Sequence, residues 1–248
     1  MLLSSTINRQ LTQASSCSWR APRSSIRISS PVTFGRRIIA PLLDKFINAY
    51  PEVKIELLLD DRPTDFATDQ VDVAFRNGRV TDSQVIAKQL VPMRMATIAS
   101  PSYIAANGLP DTPEDMIHHK CINYRYWNGL GLEWEFRADG LTRKLLPGAH
   151  LTFNNFDLVL RAVLQGRGIA HLPGYLIRPY VQARELVVAL PEYAPEDRGH
   201  YLCYLSRQHM PSRVRVFIDF MTEEVRALHL DNFDDCGDDI HGICQSAH

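Results

Sequence analysis

A chain of 248 residues that is 45% hydrophobic and 22% charged has material for a large core and is not a disordered polymer. Its 27 basic and 28 acidic residues nearly cancel, so the chain as a whole lacks the electrostatic footprint of a nucleic-acid binder. The cysteines Cys17, Cys121, Cys203, Cys236 and Cys244 are scattered, odd in number and without paired spacing, which argues for a reducing, cytoplasmic setting, and no run of about 18 apolar residues offers a membrane span.

Residues 1–25, Ser-rich with arginines and no Asp or Glu, are expected to be a disordered leader. That composition fits an organellar transit peptide, a badly chosen start codon or a truncated gene. Next, "IRIS" (26–29) has strand character and the segment from there to Tyr50 is helical. In it Ile38, Leu42 and Phe46 form one apolar stripe and Ile39, Leu43, Ile47 and Tyr50 a second, a wider face than one sheet needs. Pro41 removes a helical bond to residue 37, which predicts a kink or two short helices. "VKIELLL" (53–59) and "VDVAF" (71–75) read as strands, giving a βαβ-rich start and a parallel sheet.

"MRMATIAS" (93–100) is a further strand, "SPSYIAANG" and "TPEDMIHH" are short helices, and "CINYRYW", "LEWEFRA" and "LTRKLL" are strands or loops of a smaller unit. "LTFNNFDLVLRAVLQGRGIAHLPGYLIRPYV" carries a strand (151–153), an Asn-capped helix (about 155–165), a Gly-x-Gly exit, the buried strand "GIAHL" and another helix starting near Gly174. Strand "YLCYLS" (201–206), with Cys203 as a buried thiol, and helix 212–228 finish the ordered part. The acidic tail, 231–248, lacks periodicity and is expected to be disordered. Cys236, His241 and Cys244 fall short of the four well-spaced ligands of a zinc site, so no metal is expected there, and no cofactor elsewhere.

Catalytic signatures are missing from the sequence: no Gly-x-Ser-x-Gly, no His-Glu-x-x-His and no phosphate-cradling Gly-x-x-x-x-Gly-Lys-Ser/Thr. Asp60 and Asp61 are strand-end neighbours whose side chains diverge, so they are not an acid/base pair, and one of them reads as a cleft-lip or loop residue. The chain is read as a non-enzyme.

"RISSPVTFGRRIIAPLLDKFINAYPEVKIELLLDDRPTDF", "QVDVAFRNGRVTDSQVIAKQLVPMRMATIASPSYIAANGLPDTPEDMIHHKCINY" and "FNNFDLVLRAVLQGRGIAHLPGYL", in this order and spacing, resemble the effector-binding (substrate-binding) domain of LysR-type transcriptional regulators over roughly residues 26–228. The resemblance implies an α/β, two-lobed periplasmic-binding-protein-like fold, two Rossmann-like lobes joined by crossover strands near 91–99 and 198–206. Lobe one is then about 26–92 and 205–230, and lobe two about 93–204. It implies a small-molecule effector, a homodimer paired through the first-lobe helix and the following strand, and a winged helix-turn-helix of ~90 residues ahead of this region. Because only the Ser/Arg leader stands there, the expectation is a truncated regulator that reaches DNA only through mixed oligomers with a full-length relative. A solute-binding protein of similar fold is the alternative, and it needs an export signal that the leader does not show.

In such a fold ligands meet helix N-termini at the carboxyl ends of strands. The hydroxyls of Ser30 and Thr33, with the amides of Val32 and Thr33, can hold a carboxylate there, or Ser30 can simply cap the helix. Arg76, ending "VDVAF", can clamp a carboxylate or pair internally with an acid such as Asp72. Ser100, Asn154 and Asn155 are expected at the same site, the asparagines alternatively as plain helix caps, with His171 and Pro173 at its back as lining or packing residues.

Overall fold

The computed structural model describes residues 25–80, 85–195, 197–205 and 210–230. The leader and tail expectations, and with them Cys17, Cys236, His241 and Cys244, lie outside the described residues. The described residues form two compact units, one from those of 25–76, 80–90 and 201–228, the other from those of 77–79, 91–200 and 229–230.

In the first unit, Ile26 and Ile28 alternate with polar neighbours in β1 (Ser25–Ser30), so one face of the strand is wholly buried. β1 lies parallel to β2 (Lys54–Leu59) and β3 (Val73–Gly78). With β4 (Val85–Pro92) and β12 (Gly199–Leu205) they make a five-stranded sheet in the order β2-β1-β3-β12-β4. Helix α1, residues 32–49, makes the crossover that parallel neighbours require.

Helical structure runs without a break through Pro41. The segment Gly35–Ile39 is π-helical, and Pro41 sits in the first turn of the α-helical stretch Ala40–Ala49. The shifted register removes the need for the amide that proline lacks, and so relieves the clash with the carbonyl of residue 37. A Cβ at Gly35 would meet the end of the Leu59 side chain, which can swing aside, and would press on Ser30 at 3.1 Å.

The breadth of α1's apolar face is accounted for within the unit. Phe46 is fully buried and stands edge-on to Phe217 and Phe220 of α5 (Ser212–Ala227), at 5.1 and 5.2 Å. Ile39 and Leu43 are core residues too, at 0% and 6% exposure, so neither is available to a second subunit as the stripe suggested. Ile47, at 42%, is the apolar residue of this stripe that remains outside. Cys203 is buried with Phe66, Val71 and Ala74, as its strand position predicts.

The second unit is built differently. β5 (Met95–Ala99) is the middle strand of an antiparallel trio with β10 (Ala170–Pro173) and β11 (Val187–Ala189). β6 (Cys121–Tyr124) runs parallel to β9 (Ala149–Phe153). β7 (Trp134–Ala138) and β8 (Leu141–Leu145) form a hairpin turned by Asp139-Gly140, both at positive φ as a two-residue turn demands. Helices α2 (Pro101–Asn107), α3 (Phe156–Leu164) and α4 (Gly174–Gln182) pack around these strands, while "TPEDMIHH" is a 3-10 turn at Pro113–His118. Gly168 lets its strand lie against Lys120, whose carbonyl oxygen would collide with any Cβ. β4 and β11, absent from the sequence reading, are an edge strand with lysine and glutamine in it and a strand of three residues.

Glu135, on β7, binds two arginines that arrive from far apart in the chain. Its carboxylate lies 3.0 Å from Arg79 and 2.9 Å from Arg198, and Arg79 also reaches Asp197 at 2.7 Å. Burial alone would push the Glu135 carboxyl up, but hydrogen bonds and charge from both arginines outweigh it and hold it down at about 2. Removing one partner of a buried ion pair costs about 3–5 kcal/mol. Glu135→Gln is therefore expected to lower unfolding free energy by an amount in that range in urea titration, with the secondary structure of the surviving folded fraction unchanged.

Candidate ligand-binding site

Because β1, β2 and β3 are parallel, their carboxyl ends lie together, and α1 starts at that edge. Ser30, the last residue of β1, is 1% exposed and Thr33 4%. Ser30 does not cap the helix: Pro31 holds the N-cap position, and the Ser30 hydroxyl makes only a long contact of 3.3 Å to the Pro31 carbonyl. The amide of Val32 donates instead to Asp61 Oδ1 at 3.0 Å. A carboxylate thus already fits the start of α1, supplied by the chain itself, and of the acid pair Asp61 is the one that turns inward while Asp60 binds Arg62.

Arg76 joins the same cluster through Thr64. Its Nη2 donates to the Thr64 carbonyl at 2.7 Å, and the Thr64 hydroxyl is 2.8 Å from that of Ser29. The internal ion pair with Asp72 does not form, because Asp72 accepts from the Arg27 amide. Arg76 meets no carboxylate among the described residues, and its buried Nε has no hydrogen-bond partner. Ser29 and Thr64 were invisible as site residues in the sequence, and of the acid pair it did not say which member turns inward. "DDRPTDF" shows a turn but nothing that says which strand end it folds against.

The second unit divides the other candidates. Ser100 caps α2, accepting from the Tyr103 amide at 3.4 Å, and Asn155 caps α3, accepting from Leu158 at 3.1 Å. Asn154 is exposed and caps nothing. Pro173 pairs with Met95 at the start of β5, while Ser100 follows its end, so the two are separated by the length of the strand, roughly 15 Å. Ser100 lies instead beside Gly166, just past the C-terminal end of α3, opposite to the end capped by Asn155. It therefore does not share a site with Pro173. The antiparallel course of β10, which a βαβ reading of the sequence does not anticipate, is the reason.

His171 is fully enclosed, stacked on Trp134 at 5.7 Å, with its Nδ1 3.1 Å from the Thr97 hydroxyl. Burial holds it neutral, with its pKa lowered to about 3 from 6.5. His200, 2.8 Å from Asn77 and edge-on to Tyr175, is lowered likewise to about 3 by burial. Among the described residues no cluster of His, Cys, Asp and Glu is placed to hold a metal, and no helix is long and apolar enough to cross a membrane.

All three buried groups bind protons more readily once unfolded, so each contributes stability that is complete above its unfolded pKa and is lost as pH falls toward its folded one. The histidines act below 6.5 and Glu135 below 4.5. Melting temperature is expected to be flat above about pH 6.5 and to decline below it, each histidine contributing up to about 1.4 kcal/mol per pH unit. His200→Gln is expected to flatten the slope between pH 6.5 and 4.5 in thermal unfolding, where Glu135 does not yet act.

The LysR substrate binding domain model matches residues 20–226. Among curated proteins, the probable HTH-type transcriptional regulator LtrA of Klebsiella pneumoniae is 31% identical over 224 residues, covering 89% of this chain and 72% of that protein. A putative transcriptional regulator of Pseudomonas aeruginosa is 30% identical over 80% of this chain and 65% of its own length. The chain thus spans about two thirds of the length of such relatives. Among solved structures, the regulatory domain of AphB in Vibrio vulnificus superposes with a TM-score of 0.70 at 30% identity, covering 81% of this chain and 98% of that one. The structure of CrgA, a LysR-type transcriptional regulator from Neisseria meningitidis, gives 0.73 at 26% identity, covering 90% and 74%. The mixed α/β architecture is thus the periplasmic-binding-protein-like fold of LysR regulatory domains, and the chain belongs to the LysR substrate binding domain family.

Proposed function

We propose that this domain senses a small carboxylate effector for a cytoplasmic transcription regulator, without catalysing a reaction, and that the start of α1 with Arg76 is the anion-holding part of its site. The observation that carries this reading is Arg76: partly buried, tied by Thr64 to Ser29, and without a carboxylate partner among the described residues. A guanidinium kept in that state favours an incoming anion. The Val32 amide at the start of α1 already holds the Asp61 carboxylate, so an effector that takes this amide has to displace Asp61. DNA contact is proposed to come through a helix-turn-helix of the kind the HTH-type relatives are named for, here in a homodimer or a mixed oligomer.

A thermal-shift screen of small carboxylates followed by calorimetry tests the site. A lost hydrogen bond to a charged group is worth about 1.5–3 kcal/mol, and each 1.4 kcal/mol is tenfold in affinity. Arg76→Gln is expected to weaken the best carboxylate roughly ten- to hundredfold, and Asp61→Asn to strengthen it by removing the internal competitor. Unchanged affinity in Arg76→Gln refutes the assignment.

For assembly, Ile47→Glu is expected to convert a dimer into a folded monomer by light scattering at micromolar concentration. A dimer that survives this substitution excludes α1 from the contact.

A further inference from the structure

The large apolar side chains left most exposed among the described residues, Ile117, Trp127, Leu130, Leu141 and Leu146, all belong to the second unit. Four of them can be placed around β8. Leu141 opens the strand at 67% exposure and Leu146 follows its end at 62%. A Cβ on Gly131 would meet Leu146 Cδ1 at 3.0 Å, so Leu146 lies over the residue that follows Leu130. Ile117 sits on the 3-10 turn that Glu114 ties to Arg143 of β8 at 3.3 Å.

The strand between these leucines has a free edge. β8 pairs with β7 on one side and, among the described residues, with no strand on the other. Every second residue of such a strand turns its N–H and C=O outward, which makes the edge a template for one more strand. Arg143 and Lys144 protect it, but charges protect selectively. Full antiparallel overlap of two copies of Leu141–Leu145 sets Arg143 against Arg143, and like charges directly opposite one another destabilise a strand pair. An acidic strand meets attraction at the same positions.

The register of the hairpin specifies the partner. Leu141, Arg143 and Leu145 share one side of it, and Thr142 and Lys144 share the other with Arg137, which stands opposite Thr142. Arg137 is exposed and meets no carboxylate among the described residues. Arg143 and Lys144 hold Glu114 and Glu133 in ion pairs that are exposed on both sides, which salt and competing partners readily loosen. We propose that the free edge of β8 is a docking site for an extended acidic segment of another protein, added as an antiparallel strand with acids opposite Arg143 and Lys144 and apolar residues opposite Leu141 and Leu145. Backbone bonds supply the affinity of such a contact and the alternating side chains its selectivity. The site is independent of the α1 start, whose residues belong to the first unit.

The probe is the heptapeptide acetyl-Thr-Leu-Asp-Glu-Thr-Val-Thr-amide. Added to the full chain at millimolar concentration, it is expected to give saturable shifts of the backbone amide resonances of residues 141–146 and to slow hydrogen exchange at the outward amides of β8. The same peptide N-methylated throughout, which cannot make backbone bonds, is expected not to bind. Exchanging the peptide's glutamate for lysine is expected to weaken binding roughly tenfold, and Arg143→Glu to reverse that preference, with a melting temperature near that of the wild type. Arg143→Gln, a smaller change, is expected to bind both peptides alike. The proposal is overturned by an acidic peptide that gives no shift, by equal binding of the N-methylated form, which shows attraction without strand pairing, or by a peptide preference that both Arg143 variants leave in place. It is overturned too by β8 amides that are protected in the free protein at high concentration and exposed on dilution, which assigns the edge to a second copy.

Discussion

Glu135 is a carboxylate with almost no access to water, placed on a short strand and shared by two guanidiniums. Its partners come from the places where the chain enters and leaves the second unit: Arg79 from the brief excursion at 77–79, Arg198 from the segment that leads into β12. The ion group therefore fixes the ends of this unit to one strand of its interior. A hydrophobic contact could supply similar energy, but a carboxylate with two guanidiniums also dictates direction and register. Asn123 does the same on a smaller scale, accepting from Trp134 Nε1 and donating to the Leu132 carbonyl, so that β6 and β7 are joined by polar bonds inside an apolar core.

Most elements were legible in the sequence, and the reason is physical. Apolar alternation in Ile26 and Ile28 and the capped start of α3 at Asn155 are local signals, written over a few residues and honoured by the fold. What the sequence left open depends on pairing. Nothing in "GIAHLP" tells whether its strand runs with or against "MATIA", and that choice moves Ser100 away from Pro173. The site was legible to a corresponding extent. That Ser30, Val32 and Thr33 sit where a strand end meets a helix start could be read because that is a local pattern. Asp61, Thr64 and the uncommitted state of Arg76 follow from how the loop after β2 folds back, and no spacing encodes it.

The doubled stripe on α1 gives a related lesson. Its width is a true statement about how much of the helix is covered, but it does not say by what. Phe217 and Phe220 of α5, some 170 residues away, cover what looked like an intermolecular face. An apolar surface in a sequence has a partner in the same chain until the structure shows otherwise.

The π-helical segment at Gly35–Ile39 acts as a single-residue insertion inside α1. In an ordinary helix each residue advances the azimuth by about 100°, so one residue more or fewer turns everything on one side of it by that angle relative to the other. The face carrying Val32 and Thr33 is thereby phased separately from the face that seats Phe46 against α5. A lineage in which this one residue is lost would keep its aromatic core and its helix, yet present a different set of side chains at the strand ends. The side chains that α1 presents at the strand ends can thus change by an indel within the helix while its core residues stay as they are.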